Sequence, residues 1–225
     1  GGCRNSSSDL LTSVGLKTNE DKADYSRLYE LLALLDSDPA EVSADDLEEL
    51  LDVDEILRYL AVSAALVHLD NYIGMGHNYY LYQDGGAFSI IPWDLNMTFG
   101  GFNSGLSEEQ ILAFYIDEPT SASVDQYPLV QQLIDEPELM EIYHAYLHEI
   151  IEGPFSVEHM TQRIAEIADI IRPYVEKDEN VDLAEFEEGL ATSVSGTGRS
   201  WAMGGTFIGL AYFVEERTAS IAAQL

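Results

Sequence analysis

The chain has 225 residues, 46% hydrophobic and 10% aromatic, which is enough to bury a substantial core as one large domain and unlike the composition of a disordered segment. Its 41 acidic residues outweigh 10 Lys and Arg for a formal net charge of −31, a surface that repels nucleic acid and anionic membranes and excludes nucleic-acid binding. No run of 18 apolar residues crosses a membrane, the N-terminus shows no charged segment followed by an apolar one, and the single Cys3 excludes an intrachain disulfide or a thiolate cluster.

Residues 1–20, rich in Gly, Ser, Thr and Asn, read as a surface segment, with Ser6-Ser7-Ser8 as linker or as an autophosphorylation site. Asp24 opens a helix that sets Leu28, Leu31, Leu32 and Leu35 on one face and stops near Asp38-Pro39. Ser43, with Asp46 three residues on, caps an acidic helix to about Leu51. Asp52 or Asp54 caps the next, whose Ile56, Leu57, Leu60, Ala64 and Val67 fall at helical spacing and deliver Asp70 into a loop. His68 reads as a satisfied interior histidine, and Gly74 and Gly76 let the backbone fold tightly before His77.

The centre of the chain is 66–102. Two aromatic or β-branched runs, 78–83 and 87–92, flank Asp84-Gly85-Gly86, the signal for a hairpin with a two-residue turn. With Gly85-Gly86 as the turn, Asn78 faces Trp93 and His77 faces Asp94, so the returning strand brings Asp94 beside the loop of Asp70. One short hairpin thereby gathers Asp70, Asn78, Asp94 and Asn96. Carboxylate and amide oxygens with no Lys or Arg beside them suit a hard cation such as Mg²⁺. A Ca²⁺ ion held for stability alone is the rival reading of the same residues.

Ser107 or Asp125 caps helices that follow. Residues 128–151 read as helices broken near Asp135-Glu136-Pro137, with Leu139, Ile142, Tyr143, Tyr146, Leu147 and Ile150 as a buried stripe. His144 and His148 lie four apart, but Ala145 stands where a zinc protease needs Glu. Ser156 starts a helix with Ile164, Ile167 and Ile171, closed by Pro173, and Asp182 begins a short acidic one. The glycine-rich loop at 195–200 lacks the Gly-Lys-Ser/Thr ending of a phosphate-binding loop and reads as a surface connection. A last helix, about 206–223, contributes Ile208, Tyr212 and Ile221 to the core. The fold class is α+β, mostly helical, with one functional hairpin.

The order of helix, Asp-bearing loop, Asn, hairpin, Asp and Phe-Gly is that of protein kinases, although the strings His-Arg-Asp and Asp-Phe-Gly are not matched. The run Asn71-Tyr72-Ile73-Gly74-Met75-Gly76-His77-Asn78-Tyr79-Tyr80-Leu81-Tyr82, followed by Ile91-Pro92-Trp93-Asp94-Leu95-Asn96-Met97-Thr98-Phe99-Gly100-Gly101-Phe102, resembles the core signature of the CotH (spore coat protein H) kinase family. The likeness extends through Phe114-Tyr115-Ile116-Asp117-Glu118-Pro119, Tyr143-His144-Ala145-Tyr146-Leu147, Ile171-Arg172-Pro173-Tyr174-Val175 and the closing Arg217 and Ile221-Ala222-Ala223-Gln224-Leu225.

The resemblance implies an atypical protein kinase that transfers the ATP γ-phosphate to Ser, with a kinase-like C-terminal lobe. Asp70 becomes the catalytic-loop carboxylate, Asn78 a metal ligand and Asp94 the metal-binding Asp. Asn96, where many members have Asp, becomes a second ligand. ATP and Mg²⁺ are the implied cofactors. His77 either holds the loop or touches phosphate. Tyr79, Tyr80, Tyr82, Phe88 and Trp93 are mostly core, one or two of them lining an adenine pocket. Residues 103–124 occupy the place of an activation segment, with 113–120 as a packing loop or a peptide seat.

No Gly-x-Gly-x-x-Gly and no strand Lys precede Asp70, and only Lys17, Lys22 and Lys177 exist, so residues 1–225 read as one domain, the C-terminal lobe of a longer protein. Lys17 is the local candidate for a phosphate-binding Lys, and any signal peptide lies upstream. The acidic field reads either as a device for solubility or adaptation to salt, with Lys depletion as its companion, or as an attraction for a basic, Ser-containing protein substrate. Family members occur in spore coats and among secreted or envelope proteins, which makes the expected location extracellular or cell-surface. Two rival functions share the same residues: a non-catalytic surface or scaffold module, and a metal-dependent phosphohydrolase.

Overall fold

A computed structural model describes residues 15–191, 194–195 and 206–225. Cys3, the Ser6–Ser8 run and most of the 195–200 loop lie outside them. Helix α1 is Ser26–Leu35, where the Asp24 carboxylate accepts from Ser26 N–H at 2.9 Å. Helix α2, Ala44–Leu50, begins in the expected capping box, Ser43 and Asp46 each bonding the other's backbone N–H. Helix α3, Val53–Ala65, is capped by Asp52, whose Oδ1 accepts from Glu55 N–H at 3.1 Å.

Strands β1 (Tyr79–Asp84) and β2 (Ala87–Pro92) form the expected hairpin, with Tyr79 opposite Pro92 and Asp84 opposite Ala87. Gly85 and Gly86 take φ of 60° and 104°, the left-handed backbone that a tight two-residue turn demands. Arg27 holds the turn, donating through Nε to Gly86 O at 3.3 Å and through Nη2 to Glu49 O at 2.8 Å. The outer edge of β2 bonds the α2–α3 junction, Asp52 N–H to Phe88 O at 2.8 Å.

Helices α4 (Glu108–Leu112), α5 (Pro128–Ile134), α6 (Pro137–Glu152), α7 (Val157–Val175), α8 (Leu183–Ala191) and α9 (Leu210–Gln224) complete the lobe. Ser107 caps α4 in a second capping box with Gln110. Asp125 lies inside a 3-10 turn, Val124–Gln126, because Pro128, pre-set for a helix's first turn, starts α5 without a side-chain cap. A second antiparallel pair, β3 (Val194–Ser195) with β4 (Thr206–Phe207), was not foreseen, and it delays the last helix from Thr206 to Leu210. The architecture is therefore α+β and mostly helical, and no described helix is long and apolar enough to cross a membrane.

Helix α3 is the axis of the core: Ile56, Leu60, Ala61 and Ala64 are fully buried, packed on α6 and β2. Two expected stripes are thinner than their spacing. In α6, Leu139, Tyr143, Leu147 and Ile151 face inward while Ile142 is 40% exposed, since it lies about 100° round the helix from Tyr143, at the edge of that i+4 row. In α7, Ile167 and Ile171 are exposed at 47% and 39%, because α7 packs on α8 and α9 along the face of Ala168. The same helix runs through Pro173 to Val175, which forfeits little so near its end.

Arg217 on α9 is fully buried. It donates to Phe114 O at 2.7 Å, to Ala64 O at 3.0 Å and to Leu112 O at 3.3 Å. Burial lowers its pKa to about 10, so the guanidinium keeps its charge at neutral pH. With Tyr143 Oη donating to Ile116 O at 2.9 Å and Gln224 Oε1 accepting from Ile116 N–H at 3.1 Å, it clamps residues 112–116 between α3, α6 and α9.

Candidate functional site

The chain leaves α3 through a strained residue. Val67, β-branched and fully buried, is left-handed at φ 46°. The following loop is built on Asn71, which the sequence reading passed over. Its amide, 1% exposed, donates to Ser63 Oγ at 3.0 Å and accepts from Ile73 N–H at 3.0 Å. Its carbonyl accepts from Gly74, Met75 and Gly76 N–H at 3.3, 3.0 and 2.9 Å. An Asn directly after Asp70 and followed within five residues by two glycines was the signal available.

Gly74 lies so close to Leu69 that a Cβ there would stand 1.8 Å from the Leu69 carbonyl oxygen. Its own carbonyl accepts from Tyr127 Oη at 2.7 Å and Ser121 Oγ at 2.9 Å, and Ser121 N–H bonds Ile73 O at 3.0 Å. The loop of Asp70 is thus tied to the 118–127 segment as well as to α3.

Asn78 immediately precedes β1 and Asp94 follows β2, both at the open end of the hairpin and both left-handed, at φ 55° and 53°. Asn and Asp tolerate that conformation best among residues with a side chain, which accounts for short polar residues at both positions. Asn78 Nδ2 donates to Asp70 O at 2.8 Å and to Asp70 Oδ2 at 3.1 Å, and Trp93 N–H closes the hairpin on Asn78 O at 3.1 Å. His77 Nε2 stands 3.5 Å from Asp70 Oδ1. The structure thereby joins Asp70, Asn78 and His77, and puts Asp94 directly after Trp93, Asn78's backbone partner. Asn96 sits in a 3-10 turn, Leu95–Met97, exposed to solvent. No Lys or Arg forms an ion pair with Asp70 or Asp94 among the described residues, and Lys17 is exposed.

Among the described residues no three His, Cys, Asp or Glu side chains converge as a metal cluster. The donors are instead two carboxylates and an amide. That set fits Mg²⁺, which is held through one or two carboxylates with phosphate and water oxygens completing its shell.

Two expectations change here. His68 is interior, 2% exposed, but not satisfied: neither ring nitrogen has a hydrogen-bond partner among the described residues. Burial pushes its pKa down, against the opposing pull of Asp70 and Asp94. The hairpin aromatics are mostly not core. Phe88 is buried, but Tyr80, Tyr82 and Trp93 are 37%, 49% and 57% exposed. Strand alternation is the cause, because Tyr80 and Tyr82 share the face of their partners Ile91 and Ser89, away from α3. Trp93 packs edge-on against Tyr80 with centroids 5.6 Å apart, leaving an aromatic surface open beside Asp94.

An open groove of about 590 Å³ runs beside the 106–121 segment, lined by Glu109, Gln110, Phe114, Tyr115, Glu118 and Ser121 among others. Asp70, Asn78 and Asp94 do not line it, but its Ser121 end is bonded to the loop that carries Asp70. Across that segment Asp117 accepts from Tyr115 Oη at 3.1 Å and lies 2.8 Å from His144 Nε2, so His144 is engaged by Asp117.

The model of the CotH kinase protein family matches residues 6–195. The inner spore coat protein H of Bacillus subtilis (strain 168) is 30% identical over 164 residues, covering 72% of this chain and 42% of that protein. The aligned chain thus spans less than half the length of this relative.

Proposed function

The chain belongs to the CotH kinase protein family, and from that premise we propose that it is the phosphoryl-transfer lobe of an ATP-dependent protein serine kinase. The observation that carries the reading is the closure of the hairpin on the Asp70 loop through Asn78, which collects oxygen donors at one end with no lysine or arginine paired to them among the described residues.

Asp70 is the group that takes the proton of the acceptor Ser hydroxyl as its oxygen forms a bond to the γ-phosphorus and the bridging bond to ADP breaks. Asn78 holds the Asp70 carboxylate in orientation through its amide N–H and offers its amide oxygen to the metal. Asp94, with Asn96 as the weaker candidate, completes the ligand set. When bound, Mg²⁺ would neutralise the phosphate charge. His77, 48% exposed in its side chain and with Nε2 3.5 Å from Asp70 Oδ1, is the candidate for a phosphate contact. The open face of Trp93 is the candidate platform for adenine.

A protein substrate rich in Lys or Arg around its Ser fits the net charge of −31 and the Glu109 and Glu118 rim of the groove next to the loop. Kinship to a spore coat protein supports a place in the spore coat or at the cell surface.

Calorimetric titration with ATP, with and without Mg²⁺, tests the site. Binding should require Mg²⁺ and be lost in Asp94→Ala, whereas Asp70→Ala should bind and not turn over. Metal-dependent binding unchanged in Asp94→Ala would refute the assignment. ATP consumed with no protein labelled would identify a phosphohydrolase, and no binding by the full-length protein would leave a scaffold.

A further inference from the structure

Beneath the candidate site lies a histidine with nothing to bond. His68 is 2% exposed, and both ring nitrogens lack a partner among the described residues. A native structure that keeps such a group needs a reason for it. The backbone is also strained to place it. Val67 is left-handed despite its branched side chain, Leu69 N–H bonds back to Val67 O at 3.1 Å, and His68 N–H is used on Ser63 O at 2.9 Å. Strain at a β-branched residue next to a reactive loop marks a position under functional constraint.

The charged and titratable groups that act on the ring are Asp70, Asp94 and His77. Burial dominates them and lowers the ring's pKa, and the buried ring has an N–H with no acceptor among the described residues. Asp70 already receives Asn78 and faces His77. Asp94 has the complementary lack: it caps no helix, and its carboxylate joins no hydrogen bond or ion pair among the described residues. The turn after Asp94 is tied to the end of α3 next to His68, where Phe99 N–H bonds Leu66 O at 2.9 Å. A carboxylate that holds a cation is normally fixed by a hydrogen bond from behind.

We propose that His68 is a positioning residue of this site, its ring N–H fixing the Asp94 carboxylate once nucleotide and cation are bound. The inference rests on the metal–nucleotide reading above, and the experiment separates the two. The 225-residue chain, ¹⁵N-labelled at its five histidines, is titrated with Mg²⁺ and a non-hydrolysable ATP analogue, with calorimetry on the same samples. The His68 ring nitrogens, assigned by their loss in His68→Asn, should move from the free to the hydrogen-bonded range on addition of Mg²⁺ and nucleotide together.

His68→Phe should weaken Mg²⁺-nucleotide binding about tenfold or more, and His68→Asn, which keeps an N–H donor, should restore part of it. His159→Phe, on the exposed start of α7, should bind as the unaltered chain does. A merely structural His68 would lower the melting temperature without separating Asn from Phe in affinity. Binding seen by calorimetry with the His68 resonances unmoved overturns the proposal alone, and a flat titration of the unaltered chain overturns the proposal and the reading beneath it.

Discussion

Removing Arg217 tests whether one buried cation holds the lobe together. Its guanidinium donates to three backbone carbonyls, at 2.7, 3.0 and 3.3 Å, and lies over the Phe114 ring at 5.9 Å. No acidic group pairs with it among the described residues. A hydrogen bond to a charged group contributes about 1.5–3 kcal/mol, so the two shorter bonds amount to roughly 3–6 kcal/mol. Removing the cation also returns its own desolvation cost, which reduces the net loss. Arg217→Met, filling most of the volume, should therefore destabilise by roughly 2–3 kcal/mol, and Arg217→Ala, which adds a cavity, by roughly 3–5 kcal/mol. Urea unfolding at pH 7, followed by far-ultraviolet circular dichroism, should show a lower midpoint with an unchanged slope. Arg217→Met within about 0.5 kcal/mol of the unaltered chain would refute the reasoning, because the carbonyls would then be satisfied without it.

Gly74→Ala should cost more than about 3 kcal/mol or leave the chain unfolded, since the new methyl meets the Leu69 backbone at 1.8 Å, whereas Gly15→Ala, with open space around it, should be neutral. Gly86→Ala should lose about 1 kcal/mol through its φ of 104°, read as a shift in thermal midpoint; no shift would mean the turn is not as described. Acid should destabilise the fold through His68. Its folded-state pKa lies below the ordinary 6.5, so on acidification the unfolded chain takes the proton first, and the stability is complete above about pH 6.5 and lost as pH falls from there towards the folded value. The fall in thermal midpoint from pH 7.5 to 5.5 should be smaller in His68→Phe; an equal fall would put the sensitivity elsewhere. Ser43→Ala should cost about 1 kcal/mol in urea by removing one half of its capping box.

What the residues themselves determined was local. Gly85-Gly86 imposed the hairpin and its register, because the side-chain period of a strand admits no slip once the turn is placed, and Asn78 met Trp93 as the pairing required. Ser43, Asp52 and Ser107 capped the helices that follow them for the same reason: a short oxygen on an extended residue reaches the first free N–H groups. The hairpin set Asn78 and Asp94 at its open end, but the bond from Asn78 to Asp70 closes a loop that the buried Asn71 shapes, so only part of the arrangement was legible.

Tertiary structure decided which faces were covered, and a helical or strand period cannot say that. Ile142, Ile167, Ile171, Tyr80, Tyr82 and Trp93 have the spacing of core residues, yet they face away from the core and stay 37–57% exposed. It also decided how the buried polar groups were used. Arg217 is separated by more than a hundred residues from the carbonyls of Leu112 and Phe114, and no local pattern marks a charge that spends its bonds so far along the chain. Asn71 and His68 stand three residues apart in the same stretch, and nothing in the sequence separates their fates; only the packing around them satisfies the first and leaves the second without a partner among the described residues.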